Sequence, residues 1–160
     1  MSPGQILVAD HSGVYVIKMT GDVRLTLCIS FDQFIEAMLT SSNFTSVLFD
    51  LSEAEAVDST TLGLMAKISL LAQEQHEIKP IILATNASIK RILETMGFAD
   101  IFIIVDRLNI DLSTDKTLTV IECDESTVKD KVIEAHKILM GLNEQNHETF
   151  KNLVNMLENS

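Results

Sequence analysis

The residues whose types and spacing could do chemistry form one short stretch, Asp58-Ser59-Thr60-Thr61. A carboxylate followed by three hydroxyls, placed where an apolar β-type run gives way to an amphipathic pattern, reads as a helix start. Asp58 can accept from the free N–H groups of the first turn, which sets Ser59 at the first helical position. A phosphoryl group on Ser59 would meet backbone donors and the positive end of the helix dipole there. The implied chemistry is the writing and erasing of a negative charge. Thr60 and Thr61 offer competing hydroxyls. Successive residues turn by about 100° on a helix, so Ser59 and Thr61 point to different sides and one kinase pose can take only one of them. Ser59 is expected to be exposed and to be the acceptor ahead of Thr60 and Thr61, because Thr61 opens the turn that carries Leu62 and Met65 towards the core.

The flanking elements must position this hydroxyl. Residues 47–51, Val-Leu-Phe-Asp-Leu, predict a strand, followed by a short acidic loop holding Glu53 and Glu55. After Ser59, the positions of Leu62, Met65, Ile68, Leu71 and Ala72 share one side of a helix and leave Lys67, Gln73 and Glu74 for water. Pro80 closes that helix and opens a strand over 81–84. Upstream, β-type runs at 6–9 and 14–19 are split by His11-Ser12-Gly13, whose glycine suits a hairpin turn. Ser30 with Gln33 forms a capping box before the stripe Phe31, Phe34, Ile35, Met38 and Leu39. Downstream, Asn86 caps a helix with the stripe Ile89, Ile92, Leu93 and Met96. Gly97-Phe98 closes it, and 101–105 is the last core strand. The order β-β-α-β-α-β-α-β predicts an α/β layer architecture.

Several of these places carry a family resemblance. Asp58-Ser59-Thr60-Thr61-Leu62-Gly63 resembles the Asp-Ser-Ser-Gly-Leu-Gly motif of STAS domains, the anti-sigma-factor antagonists, and Leu48-Phe49-Asp50-Leu51-Ser52 resembles their central strand. Gly21-Asp22-Val23 is similar to the turn ending their second strand, with Arg24 in place of the usual acidic residue, and 88–102 is similar to their third helix and following strand. The resemblance covers roughly residues 5–106. It implies a STAS-type mixed sheet with helices packed on it, Ser59 as phospho-acceptor, and a partner surface of Glu55, Asp58, Ser59, Thr60, Thr61, Leu62 and Gly63. Within the family the chain is most similar to stand-alone bacterial antagonists of the HsbA kind. That implies an anti-sigma factor as partner, and a response regulator or other protein with Ser/Thr kinase and PP2C-type phosphatase activities. Thr61 departs from the family's usual glycine, and its branched side chain would crowd a kinase loop approaching Ser59.

Residues 1–110 are therefore expected to form the STAS domain and 111–160 a C-terminal extension. In the extension, 118–123 reads as an edge strand, and Asp124 or Ser126 caps a helix with Val128, Val132, Ala135, Leu139 and Leu142 in its stripe. A second apolar set follows, Phe150, Leu153, Val154 and Leu157, and one continuous heptad register would put Asn146 at a core position. Ile133, Ile138 and Met140 widen the stripe beyond a two-residue seam, so docking onto the domain is expected ahead of dimerisation, and a monomer ahead of a dimer.

Composition narrows the function classes. A net charge of −11 over 160 residues argues against nucleic acid, whose phosphates require Lys and Arg. No apolar run approaches the ~20 residues that span a bilayer, and no signal segment opens the sequence, so a cytoplasmic protein is expected. Cys28 and Cys123 lie too far apart for a metal knuckle and read as two buried thiols. No Gly-x-Ser-x-Gly elbow accompanies Ser59, and His11, His76, His136 and His147 read as scattered surface residues. Asp50 and Asp58 lack a third ligand and read as a strand-end residue and a cap. Neither an enzyme nor a cofactor is expected. The alternative to a phosphorylation-switched module is an unswitched STAS scaffold or self-association module, which the apolar C-terminal helices favour.

Overall fold

The computed structural model describes residues 2–160. β1 (Gln5–His11) and β2 (Val14–Val23) form an antiparallel hairpin, α1 (Cys28–Thr40) crosses over, and β3 (Ser46–Val57) lies parallel to β2. Then come α2 (Ser59–His76), β4 (Ile81–Leu83), α3 (Ala87–Thr95) and β5 (Ile103–Val105), followed by β6 (Lys116–Thr117) and two C-terminal helices, α4 (Glu125–Met140) and α5 (Glu144–Glu158). The sheet order is β5-β4-β3-β2-β1-β6, mixed because β1 runs antiparallel to both its neighbours while β2 to β5 are parallel. The hairpin turn is Ser12-Gly13, both at positive φ (54° and 97°), the twist a two-residue hairpin requires.

β3 is central and longer than its apolar run. The acidic residues expected in a loop are strand: Glu53, Ala54, Ala56 and Val57 pair with Thr20, Gly21, Asp22 and Val23. Two register shifts absorb the mismatch, one around Leu51-Ser52 and one at Glu55. In these bulges β3 spends two residues opposite one of β2, which breaks the apolar/polar alternation and hides the strand from a pattern reading. Asp50 is therefore interior to the strand, 2% exposed, and its carboxylate accepts from Ser52 N and Oγ beside the first bulge.

Other boundaries also shift. α1 begins at Cys28 after a 3₁₀ turn, Leu25–Leu27, so Ser30 lies inside the helix and donates to Leu27 O at 3.1 Å instead of forming a capping box. α2 ends before Pro80 is reached, because Glu77 turns left-handed (φ 56°). The last core strand is shorter than expected, and the edge strand is Lys116–Thr117 instead of 118–123, with Leu118 buried just after it. Met65 and His136 are fully buried, and Cys123 is exposed. The core joins the inner face of β3 (Val47, Phe49, Leu51) to Phe31 and Ile35 of α1, Leu64, Met65 and Ile68 of α2, and Phe98 and Phe102 beyond α3.

α4 packs along α2 and touches α1, and α5 folds back on α4. Asp124 caps α4 by accepting from Thr127 N, and Asn143 caps α5 by accepting from Asn146 N. Asn146 is buried and donates to Met96 O (2.8 Å) and Leu139 O (2.9 Å), so the amide that a heptad reading places at a helix seam ties α5 to the loop after α3 and to the end of α4.

Candidate functional site

Asp58 anchors the start of α2 through both carboxylate oxygens. Oδ1 accepts from Thr61 N at 2.9 Å, the expected cap, and Oδ2 accepts from Leu25 N at 2.7 Å. Its own N–H donates to Val23 O at 3.0 Å. One residue thus fixes the end of β2, through its backbone, and the turn into α1 and the first turn of α2, through its carboxylate, in a single geometry. Ser59 is the first residue of α2, as its spacing from the cap requires.

The hydroxyl of Ser59 is not free. Its Oγ lies 2.7 Å from His136 Nε2 of α4. His136 is 2% exposed, and its Nδ1 lies 2.7 Å from Val132 O, one helical turn back. A carbonyl can only accept, so Nδ1 carries the hydrogen, and in the neutral ring Nε2 accepts the Ser59 O–H. Phe150 of α5 packs edge-on against the same imidazole, centroids 5.0 Å apart, and fixes its plane.

Four of the seven residues expected at a partner surface are covered: Thr60, Thr61, Leu62 and Gly63 are buried, Asp58 and Ser59 are half-buried, and Glu55 is exposed. Gly63 has a packing reason to be glycine. A Cβ there would stand 2.3 Å from Ala135 O and 2.7 Å from Ala135 Cβ, so the backbones of α2 and α4 approach as closely as they do only because both residues are small.

One turn further along, a four-residue ion cluster joins three helices. Lys67 of α2 reaches Asp32 of α1 at 2.8 Å and Glu134 of α4 at 3.2 Å, while Lys131 of α4 reaches the same two at 2.7 and 3.1 Å. Lys67, Asp32 and Lys131 are 14%, 15% and 19% exposed, so water screens these pairs only partly. Burial raises the cost of ionising Asp32, yet the two ammonium groups outweigh it and hold the carboxyl below its ordinary range. Burial works against the charge of both lysines too, and their carboxylate partners overcome it and hold them above the usual ammonium range.

Beside Ser59 and His136 opens a largely apolar groove of about 1020 Å³, walled by Leu25, Val128, Val132, Leu153 and Leu157, with Lys129 at its edge. Among the described residues no group of three or more His, Cys, Asp or Glu could hold a metal ion, and no helix is long and apolar enough to cross a membrane.

The sequence reading missed His136 and the cluster around Asp32. The available signal for His136 was its place beside the apolar stripe of Val132, Ala135 and Leu139, one turn after a residue whose carbonyl it can use. Lys67, expected to face water, is instead 14% exposed and paired, because tertiary packing brings Asp32 of α1 and Glu134 of α4 to it.

The antiparallel hairpin, the parallel β2-β3-β4-β5 half and a capped hydroxyl at the start of α2 are the features of a STAS-type sheet, and residues 5–116 match the STAS domain family. The chain belongs to that family. A solved structure, the crystal structure of an anti-sigma factor antagonist from Mycobacterium paratuberculosis, has the same fold: TM-score 0.56 at 24% identity, covering 66% of this chain and 88% of that one. No curated protein matches the sequence.

Proposed function

We propose that this protein is an anti-sigma-factor antagonist, a protein-binding module and not an enzyme. It sequesters an anti-sigma factor or similar regulator while Ser59 is unphosphorylated and releases it once Ser59 carries phosphate. The observation that supports this most is the Ser59 hydroxyl at the first residue of α2, with Asp58 as cap, at the end of the central strand of a STAS fold. The described function of the mycobacterial structure supports the same role. A phosphate adds about −1.5 to −2 charges at pH 7 next to Asp58, and an interface over this site would have to desolvate them. The helix N-terminus can hold the new anion locally, so release needs little refolding of the sheet. A Ser/Thr kinase and a PP2C-type phosphatase, on a response regulator or on separate proteins, would write and erase the group in the cytoplasm.

Phosphosite mapping by mass spectrometry after co-expression with neighbouring genes of the kinase and phosphatase classes tests the acceptor. Phosphate is expected on Ser59 and absent from Ser59→Ala. Phosphate persisting on Ser59→Ala at the wild-type rate would move the acceptor to Thr60 or Thr61. In pull-downs, Ser59→Ala is expected to retain the anti-sigma factor and Ser59→Asp to lose it, and equal recovery by both would sink the switch.

A second reading is favoured by the Ser59–His136 hydrogen bond: a hydroxyl engaged within the fold suits an unswitched scaffold that assembles with itself or a larger complex. Light scattering separates the two readings. The switch predicts a monomer at all concentrations, since Phe150 and Val154 of α5 are already buried within the chain, and the scaffold predicts mass rising with concentration.

A further inference from the structure

The α2 face leading away from Ser59 is filled by the chain's own α4, and the manner of filling describes what else would fit. Three residues of α4 make the fit: Lys131 against Asp32, Ala135 against Gly63, and His136 on the Ser59 hydroxyl. Their order is a cation, a small residue four positions later and a hydrogen-bond acceptor immediately after it. We propose that the α1–α2 face beneath α4 is a helix-docking surface for which α4 is an intramolecular competitor, and that the external partner presents a helix of this same chemistry. The partner rests on the reading of the protein as a partner-binding module; the surface itself rests on the packing alone.

Three observations carry the proposal. The surface is specific, because the Gly63 notch admits only a small residue: with Ala135 seated, there is no room even for a Cβ on α2. It is charged to match, because without Lys131 the half-buried Asp32 would keep Lys67 as its single close cation, with Glu36 also within 3.8 Å of that lysine. Finally, α4 guards the hydroxyl. The Ser59 hydroxyl is engaged by a 2%-exposed imidazole, and a phosphate there would remove the hydrogen that Nε2 accepts. Release of α4 therefore opens the partner surface and the phosphorylation site together, and a partner bound in its place shields Ser59 in turn.

The test needs neither the natural partner nor a kinase. A fluorescein-labelled peptide of residues 124–142 is titrated against the full-length chain and against Ala135→Arg, whose side chain cannot enter the notch and so loosens α4 while leaving the α1–α2 face unaltered. Anisotropy is expected to show binding at least about tenfold tighter for Ala135→Arg than for wild type, and Lys131→Glu in the peptide is expected to abolish it. Amide exchange in β1 to β4 checks that the variant is folded; if it is not, the milder pair Lys131→Ala with His136→Ala takes its place. Equal binding to wild type and variant, or no binding to a variant whose sheet amides stay protected, overturns the proposal. Absence of phosphate on Ser59 in cells would defeat the switch reading and leave this result untouched.

Discussion

At Asp58 a single carboxylate holds together segments that are far apart in sequence, accepting from Thr61 N in its own helix and from Leu25 N in the turn that follows the neighbouring strand β2. Removing an N-cap costs about 0.5–2 kcal/mol, and here a second backbone donor loses its partner as well. Asp58→Ala is therefore expected to lower unfolding stability by about 2 kcal/mol, the top of that range, measured by urea denaturation; a loss under a few tenths would show that water replaces both bonds. Gly63 gives the sharper test. Alanine is normally the better helix former by about 1 kcal/mol, so Gly63→Ala would stabilise an uncovered α2. With Ala135 O 2.3 Å from the new methyl, the substitution is expected to destabilise the chain instead by about 1–3 kcal/mol. The sign of the change in melting temperature decides whether α4 lies on α2 in solution.

Elements carry the next prediction, since α4 and α5 meet the rest of the chain at few polar points. These include the Ser59–His136 bond, the cluster around Asp32, and Asn143 and Asn146 reaching back to Thr95 and Met96. Phosphoserine placed at position 59 would lose the first. The expected outcome is faster amide exchange across Glu125–Met140 with the sheet amides of β2 and β3 unchanged, and uniform protection in both would mean the phosphate is accommodated with α4 in place. The same elements show where pattern reading reaches its end. The α2 stripe and the caps Asp58, Asn86 and Asp124 are local facts, and they appear where their spacing puts them, whereas Ile92 of the expected α3 stripe is 41% exposed. The second half of β3 does not, because two bulges break its period and its register is decided by β2 across the ladder.

For the whole molecule, the Lys67–Asp32–Lys131–Glu134 cluster ties the first, second and fourth helices together in a pH-dependent way. The Asp32 carboxyl is held below its ordinary value of 3.8, so ionisation favours the folded chain. That contribution is complete above the ordinary carboxylate range and is lost as pH falls through the lowered folded value. Lys67 and Lys131 are held above 10.5, so their contribution is complete below that value and is lost as pH rises through the raised folded values. Wild type is therefore expected to be more stable than Asp32→Asn at neutral pH, with the gap in denaturation midpoint closing in strong acid. A gap that stayed constant from neutral pH to below pH 3.8 would show that the pairing of Asp32 contributes nothing.

The sequence by itself determined the α2 stripe, the hairpin turn, the cap at Asp58 and hence the position of Ser59 at the head of α2, because each depends on residues within one or two turns of one another. It also carried the family resemblance, for the same reason: each of the places that carry it, at 21–23, 48–52, 58–63 and 88–102, is a contiguous run. Tertiary structure alone decided what surrounds that hydroxyl. Ser59 and His136 are 77 residues apart, and Gly63 meets Ala135 across a similar span, so neither contact leaves a periodic trace in the chain. Burial of His136 follows from α4 choosing α2 as its neighbour, a choice made by the close fit of two small residues and by the charges around Asp32. No local pattern contains that choice, because it is a property of two surfaces and not of either helix.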